Sequence, residues 1–167
     1  GTQTSEARRK VGPIAPAMLH FLLADLHIHT CLSPCADLEM FPELILRRAQ
    51  ELGLRVIAVT DHNSAENVAA VVHQAEGTDI TILAGMEVQT REEVHVITLF
   101  DTLEQVGAWQ AQIYDSLPAL QNDEAFFGEQ IILDEAGDPV GYMDRLLITS
   151  SAFSIEEVTR RVAALGG

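Results

Sequence analysis

The chain has 167 residues, 47% of them hydrophobic, and its 25 acidic and 10 basic residues give a formal net charge of −15. That length and composition predict one globular domain with a buried core and argue against a disordered chain. The negative field repels phosphate backbones and anionic lipids, so neither stable nucleic-acid binding nor contact with a membrane is expected.

Other features of the composition point to a cytoplasmic protein. The sequence contains no stretch close to the roughly 20 apolar residues that span a bilayer. Residues 1–17 are polar, contain Gly and Pro, and precede Met18, and we interpret them as a leader or a flexible extension. Cys31 and Cys35 are too few for a disulfide framework. An acidic chain also suits bound divalent cations, which are often the largest local charges of a site.

From Leu19 onward, short apolar runs alternate with amphipathic segments, a pattern typical of alternating strands and helices. Pro42 suits the first position of a helix, and Gly53 suits its C-terminal cap. Ser64 can cap the next helix, and Glu66 complements the positive end of its dipole. The predicted elements of this half are strands at 22–26, 55–60 and 80–83 and helices at 42–52 and 65–74.

The second half of the chain predicts a mixture of strand pairs and helices. Its first strand pair is favoured by β-forming residues on either side of a polar turn, and a later hairpin by an Asp-Glu-Ala-Gly-Asp turn. Ser154 and Glu157 form a capping box that opens a last helix. The predicted elements are strands at 86–89, 94–100, 130–133 and 140–143 and helices at 103–116 and 155–165.

Strands that alternate with helices imply a parallel sheet or a barrel, with functional groups at the carboxyl ends of the strands. His27 and His29 follow the first predicted strand, and their spacing of two projects both imidazoles to one face, where they can bind one ion. Asp25 lies on that face and is interpreted as an acceptor that orients an imidazole. Taken alone, such a pair is as often an ordinary surface or core feature.

Further candidate ligands follow the next strands. Asp61 and His62 come after an apolar run, where an ionised carboxylate needs a partner such as a metal ion. In isolation, a helix cap and a solvated histidine would be the simpler interpretation. Glu87 and His95 are expected near the same rim, where Glu87 can bridge two ions. Their simpler alternatives are an ion pair with the arginine of the following turn and a hydrogen-bonded core histidine.

The remaining polar residues differ in how strongly the sequence supports them as metal ligands. Asp37 lies in the loop after the first histidine pair, where a hard oxygen ligand can fold back over the ions. Cys31 and Cys35 are weak candidates for a soft ion, because a Cys-X₃-Cys pair without a second pair is weak evidence of a metal site. His20 precedes the first strand and His73 lies inside a predicted helix, so structural or solvated roles are favoured for both.

In this order and context, the candidate residues resemble those of the PHP (polymerase and histidinol phosphatase) family. The resemblance covers residues 22–100 and is closest to stand-alone members described as metal-dependent phosphoesterases. It rests on four ordered motifs, which are Asp25-Leu-His27-Ile-His29-Thr30 with Asp37, Thr60-Asp61-His62-Asn63, Gly85-Met-Glu87-Val88 and Val94-His95.

The resemblance implies an α/β fold, a distorted seven-stranded βα barrel similar to a TIM barrel, with two or three divalent ions of zinc, manganese or iron. It implies a PHP domain over residues 18–167, with 101–153 a family-variable insertion. The family's later histidine motif and closing Asp-X-His do not follow Gly167, so we expect a C-terminally truncated chain and an incomplete barrel. The implied ligands are His27, His29, Asp37, His62, Glu87 and His95. Asp25 and Asp61 are expected to support these ligands without binding an ion themselves.

The leading functional hypothesis is a metal-dependent phosphoesterase in which a metal-bound hydroxide attacks phosphorus, with no catalytic residue beyond the metal ligands. The substrate would be a phosphorylated small molecule or a nucleotide, and the chain could form a homo-oligomer. An amidohydrolase-like enzyme is one alternative, because a strand-end His-X-His also suits attack on a carbonyl carbon. A noncatalytic PHP module with a structural or regulatory role is the other.

Overall fold

The computed structural model of the protein describes residues 21–167. The proposed leader at 1–17 and His20 lie outside the described residues. In chain order the elements are β1 (Ala24–Ile28), α1 (Pro42–Glu51), β2 (Val56–Val59), α2 (Val68–Gln74), β3 (Thr81–Gln89), β4 (His95–Phe100), α3 (Leu103–Ser116), α4 (Glu124–Phe127), β5 (Ile131–Leu133), β6 (Pro139–Tyr142) and α5 (Ile155–Leu165).

The strands form two sheets. In the larger sheet the order is β1-β2-β3-β4, with β1, β2 and β3 parallel and β4 antiparallel to β3. β5 and β6 form a separate antiparallel hairpin. The fold is therefore mixed α/β with a curled sheet that resembles half of a barrel, and the six strands between residues 21 and 167 fall short of the expected seven-stranded barrel.

β2 is the buried centre of the larger sheet. Ile57, Ala58 and Val59 have no exposed surface, as expected for a short parallel strand that is covered on both faces. Apolar side chains from four helices join β2 in one core, among them Ile45, Leu46, Val68, Val71, Trp109, Ile113 and Val158. This packing fixes the relative positions of the three parallel strands, whose carboxyl ends carry the candidate ligands.

α3 is part of this core, although it lies in the region 101–153 that the resemblance implied to be an insertion. A capping box of Thr102 and Gln105 starts the helix. The fully buried indole of Trp109 donates a hydrogen bond of 3.2 Å to the hydroxyl of Thr98 on β4. The helix therefore supports the strand that carries His95.

Several predicted elements are confirmed. α1 begins at Pro42, and Gly53 follows it with a positive φ of 70°, a conformation that glycine adopts without strain. α3 has the predicted bounds, and the hairpin of β5 and β6 lies where its turn predicts it. The capping box of Ser154 and Glu157 opens α5. The short helix α4 was not predicted.

The predicted start of the second helix is wrong. α2 begins at Val68 with Asn67 as its N-cap, three positions after the predicted start at Ala65. The backbone N–H of Ala65 donates a hydrogen bond of 2.6 Å to the side-chain oxygen of Gln110 on α3. Ser64, the predicted cap, also contacts Gln110. A tertiary partner on α3 therefore replaces the local cap that the sequence suggested.

The predicted strands at 80–83 and 86–89 are one continuous strand, β3. Gly85 does not interrupt it. A Cβ atom at this position would lie 2.8 Å from Thr60 Cγ2 and 2.9 Å from both Leu99 Cδ2 and the carbonyl oxygen of Val59. Glycine is therefore needed because the neighbouring strands approach closely, and not because the strand ends. β1 also lies two residues later than the predicted strand at 22–26.

β1 is an edge strand of the larger sheet, and part of its apolar surface is uncovered within the described residues. Leu26 of β1 is 43% exposed, and Leu23, which directly precedes the strand, is 61% exposed. The helices are short, with 14 residues in the longest of those described, α3. Within residues 21–167, none has the length and apolar character needed to cross a membrane.

Gly85→Ala is expected to lower the free energy of unfolding by about 1–3 kcal/mol, because the added methyl group overpacks the contact between strands. The matched control is Gly107→Ala in α3, where an added Cβ would meet no atom within 4 Å. This control should raise the free energy of unfolding by about 0.5–1 kcal/mol. Urea denaturation followed by Trp109 fluorescence measures both. Equal stability of the two variants would contradict the close-approach explanation.

Candidate metal centre

Successive strands bring five of the predicted ligands to one edge of the larger sheet. His27 lies in β1 and His29 follows its end, while His62 comes shortly after β2. Glu87 lies in the second half of β3, and His95 is the first residue of β4. The parallel direction of β1, β2 and β3 collects these side chains, because the carboxyl ends of parallel strands lie at the same edge.

Backbone pairing fixes Glu87 between β2 and β4. Its strand partner on β4 is Ile97, and His95 lies two residues before Ile97, so the side chains of Glu87 and His95 project to the same face. On the other side, the Glu87 N–H donates to the carbonyl of Asp61 at 3.0 Å, and the Glu87 carbonyl accepts from Asn63 N–H at 2.9 Å. The carboxylate is thus held at a defined position.

Four imidazoles converge on the carboxylate of Glu87. Oε2 lies 2.9 Å from His29 Nε2, 3.2 Å from His27 Nε2 and 3.3 Å from His62 Nδ1. Oε1 lies 2.9 Å from His95 Nδ1, within hydrogen-bonding distance. Glu87 itself is only 4% exposed. The two carboxylate oxygens therefore face different members of the histidine cluster.

Two atoms in this cluster are buried without a hydrogen-bond partner, His62 Nδ1 and Glu87 Oε2. The short contacts to Oε2 therefore lack hydrogen-bond geometry, and each unpaired buried group costs about 1–3 kcal/mol. In addition, His27 Nε2 and His29 Nε2 lie 3.0 Å apart, close to the separation of about 3.3 Å for two nitrogens on one tetrahedral ion. A divalent cation would satisfy these lone pairs, so the donor set fits a metal.

The cluster contains overlapping groups of three possible ligands, with donor atoms within 4.8 Å of one another in each group. Glu87, His29 and His62 each belong to two groups. A carboxylate shared by two groups can bridge two ions through its two oxygens, an arrangement suited to two-metal sites. The groups are His27-His29-Glu87, His62-Glu87-His95 and His29-Cys35-His62.

The protonation states of the buried groups suit metal binding. Burial and the nearby charge of His29 lower the pKa of the His62 imidazole to about 4, so the ring is neutral at neutral pH. Burial disfavours the charge on Glu87, but the hydrogen bond from His95 and the neighbouring imidazoles hold the pKa of its carboxyl below the ordinary value. Neutral imidazoles and an ionised carboxylate are the forms that bind metals.

Asp61 holds the loop after β1 against the end of β2. Its fully buried carboxylate accepts hydrogen bonds from the Thr30 N–H at 2.7 Å, the Thr30 hydroxyl at 2.8 Å and the Ser33 hydroxyl at 2.7 Å. Burial raises the pKa of the Asp61 carboxyl, and these hydrogen bonds oppose the rise. Ser33 Oγ also accepts from the His62 N–H at 3.1 Å. Asp61 therefore positions the backbone of both His29 and His62.

The other two predicted carboxylates lie apart from the cluster. Asp25 is exposed, and its Oδ1 accepts a hydrogen bond of 3.2 Å from the backbone N–H of His27 rather than from an imidazole. Asp37 is also exposed and accepts from the backbone N–H of Glu39 at 3.2 Å. Among the described residues, Asp37 belongs to none of the groups that could hold an ion. The structure thus gathers five of the six predicted ligands and leaves Asp37 outside.

The structure adds one residue that sequence reasoning ranked low, Cys35. Its Sγ lies 3.1 Å from His29 Nδ1, and it joins a candidate group with His29 and His62. Burial raises the pKa of the Cys35 thiol above its ordinary value. Cys31, by contrast, is 1% exposed and packs against apolar residues of β5. In the sequence, the only sign of this contact is that Cys35 lies six residues after His29, close enough for a folded loop to bring the two side chains together.

Ser33 and His73 lie on opposite sides of the prediction, since Ser33 supports the cluster and His73 lies at the surface. Ser33 was not singled out, although it joins Asp61 to His62, because a lone serine in a loop carries no pattern. His73 lies near the end of α2, as predicted, and its Nδ1 is 3.3 Å from a carboxylate oxygen of Glu135 at the surface. Among the described residues, this histidine belongs to none of the candidate groups.

The model of the PHP domain family matches residues 25–166 of this chain. No curated protein sequence matches it. Among solved structures, the chain is similar to the lesion-specific endonuclease PfuEndoQ from Pyrococcus furiosus, with 18% identity and a TM-score of 0.59 over 87% of this chain and 32% of that chain. At this identity the likeness shows a shared fold.

Two further solved structures have lower structural similarity. One, from Bifidobacterium adolescentis, is described as a metal-dependent phosphoesterase; identity is 24% and the TM-score 0.43 over 57% of this chain and 34% of that chain. The other is an amidohydrolase from Chromobacterium violaceum with bound sulfate and no metal, with 26% identity and a TM-score of 0.41 over 55% and 33%. In all three comparisons the match spans about a third of the solved chain.

Asp61→Asn is expected to lower the free energy of unfolding by about 2–3 kcal/mol, because the amide group would face the Thr30 and Ser33 donors and leave at least one of them unpaired. Asp37→Asn is the matched control, since Asp37 is exposed and accepts a single hydrogen bond. The control should change stability by less than about 0.5 kcal/mol. Chemical denaturation measures both, and an equally mild effect at position 61 would contradict the positioning role.

Proposed function

This chain belongs to the PHP domain family, and we propose that it is a metal-dependent hydrolase that cleaves phosphate esters. The observation that carries the proposal is the convergence of four imidazoles on the two oxygens of Glu87. The buried and unpaired atoms of this cluster, Glu87 Oε2 and His62 Nδ1, are costly without a partner. With bound divalent ions the same atoms become ligands, and the cluster becomes a site for hydrolysis.

The contacts support a division of the ligands between two ions. Glu87 Oε2 faces His27 and His29, which would hold one ion together with it. Glu87 Oε1 faces His95, which would hold a second ion with His62. Glu87 would bridge the two ions, because its Oε2 faces His27 and His29 and its Oε1 faces His95, with His62 Nδ1 3.3 Å from Oε2. The ions would be zinc, manganese or iron, the metals that the family resemblance implies.

Bound divalent ions would supply an activated water molecule and neutralise the charge on the phosphate group. The contribution of the chain is to hold the ligands and to leave one side of the site open. The side chains of His27 and His95 are 52% and 43% exposed, whereas Glu87 is buried behind them. A substrate would therefore approach from the side of these two imidazoles.

The charge of the chain agrees with a requirement for metal. With a net charge of −15, the protein repels an anionic phosphate ester unless bound cations reverse the field locally. Imidazoles contribute four of the five ligands in the cluster and Glu87 the only carboxylate, so bound divalent ions would leave a net positive charge at the site. The proposed substrate is a phosphorylated small molecule or a nucleotide.

We also propose that the larger sheet is half of the seven-stranded βα barrel of the family, within a PHP domain over residues 18–167. β1 supports this proposal because it is an edge strand with exposed apolar side chains, such as Leu26. Such an edge is normally covered or paired. Further strands of a longer protein, or a second copy, would close the barrel and complete the ligand set.

The test of the proposed function is metal content and hydrolysis in matched histidine variants. His29→Ala should lower the metal bound per chain, because His29 belongs to two of the candidate ligand groups. His73→Ala is the control, since the imidazole of His73 pairs with Glu135 at the surface and belongs to none of the candidate groups among the described residues. Metal per chain is measured by mass spectrometry after chelator-free purification. Equal metal content in the two variants would remove His29 from the site.

Glu87→Gln extends the test to activity. Loss of the bridging carboxylate should remove metal from two positions and lower kcat/KM for bis(p-nitrophenyl) phosphate more than about 100-fold, since even outer partners of metal ligands contribute 10–100-fold. Glu135→Gln serves as the control. Metal binding without hydrolysis of any phosphate ester would instead favour a noncatalytic PHP module, and hydrolysis of amides alone would favour an amidohydrolase.

A further inference from the structure

The loop between β1 and α1 is folded into consecutive turns that bring it back over the histidine pair. Ser33 N–H donates to the Thr30 carbonyl at 3.1 Å, Ala36 N–H donates to the Ser33 carbonyl at 2.9 Å, and Cys31 N–H donates to the Met40 carbonyl at 3.0 Å. Asp61 locks the start of this loop through Thr30 and Ser33. Hydrogen bonds before and after Cys35 in the loop therefore set the position of its side chain.

From this arrangement we propose that Cys35 is a thiolate ligand of the metal cluster and shares an ion with His62. The assignment rests on the proposed metal site and names the ligand that the loop contributes to it. Cys35 Sγ, His29 and His62 have donor atoms within 4.8 Å of one another. The loop therefore contributes sulfur to the cluster, whereas the sequence favoured the oxygen of Asp37.

The distances around Cys35 agree with ligation. Sγ and a ring nitrogen of His62 lie within 4.8 Å of each other, and a sulfur and a nitrogen on one tetrahedral zinc ion are about 3.5 Å apart. His29 already faces His27 and Glu87 through Nε2. One imidazole rarely binds two ions, so His62 is the partner that remains available to share an ion with Cys35.

The unpaired ring nitrogen of His62 also supports an ion at this end of the cluster. His62 is 6% exposed, and its Nδ1 has no hydrogen-bond partner. Its ring contacts that of His29 edge to face, with centroids 4.5 Å apart. A buried, neutral and unpaired imidazole beside an accessible thiol is explained by an ion bound to both. A serine, alanine or valine at position 35 would leave His62 without this partner.

The other candidate residues of the loop are excluded by their positions. Cys31 is buried among Ala70, Ile131 and Leu133, and burial raises the pKa of its thiol to about 11, with the charge of Asp61 adding to the rise. Asp37 is exposed and caps its own turn. Cys35 alone in this loop combines an exposed thiol with a place in a candidate ligand group.

A thiolate changes which metals the site prefers. Soft thiolate ligands favour zinc, iron or cobalt, whereas hard oxygen ligands suit magnesium and manganese. The site should therefore select zinc or iron over manganese, and Cys35→Ser should weaken this selection. A bound cation also removes the proton of a coordinating thiol outright, so the thiol should become unreactive when the metal binds.

The test is titration of the full chain with Co²⁺, followed by optical spectroscopy. Cobalt bound to imidazoles gives visible d–d bands, and a sulfur ligand adds a charge-transfer band in the near ultraviolet. We expect both sets of bands in the wild type and in Cys31→Ala. In Cys35→Ser, the charge-transfer band should be lost while d–d bands remain. Zinc should also slow the reaction of the Cys35 thiol with DTNB in Cys31→Ala.

The outcomes separate this proposal from the proposed function. Visible bands without a charge-transfer band in the wild type would overturn the role of Cys35 and leave the histidine site intact. The sulfur would then be a hydrogen-bond partner that positions His29. A charge-transfer band that persists in Cys35→Ser would also overturn the assignment. Absence of all cobalt bands would contradict the metal site itself and, with it, the proposed function.

Discussion

The burial of one carboxylate under four imidazoles is the constraint on which the rest of this structure depends. Glu87 is 4% exposed, and three ring nitrogens lie within 3.3 Å of one of its oxygens without forming hydrogen bonds. No core packing favours such an arrangement, because buried polar atoms normally find partners. The surrounding elements therefore act as a frame that holds the ligands in place for an ion.

The frame combines a parallel sheet with one buried anchor. β1, β2 and β3 end at the same edge, and the antiparallel β4 adds His95 on the face of Glu87. Asp61 joins the loop after β1 to the end of β2 through three hydrogen bonds of 2.7 to 2.8 Å. Because Ser33 binds both Asp61 and the backbone of His62, a change at this anchor reaches the histidines on two strands.

The sequence predicted helix ends and turns well, because these depend on residues that are near one another in the chain. The capping box at Ser154, the cap glycine at position 53 and the hairpin turn before β6 each encode their own geometry. The errors came from tertiary contacts. Gln110 on α3 takes over the capping of Ala65, and Gly85 reports the close approach of two neighbouring strands rather than a break. Neither partner is near in sequence.

The site could be predicted from strand-end placement, because the residues that end parallel strands must meet. The sequence alone therefore assigns His27, His29, His62, Glu87 and His95 to one edge of the sheet. It does not place a loop side chain, whose position depends on several turns. The sequence favoured Asp37 over Cys35 because oxygen is a common ligand of hard ions. In the structure, Cys35 faces the histidine cluster, whereas the Asp37 carboxylate accepts a hydrogen bond from the backbone N–H of Glu39.

The most direct measurement of the central claim is a crystal structure of the zinc-loaded chain with anomalous diffraction data on both sides of the zinc edge. The account predicts two anomalous peaks that flank Glu87, one beside the ring nitrogens of His27 and His29 and the other beside His62. Zinc-soaked crystals that show no anomalous peak in this cluster, with the imidazoles hydrogen-bonded to Glu87 and to water, would contradict it.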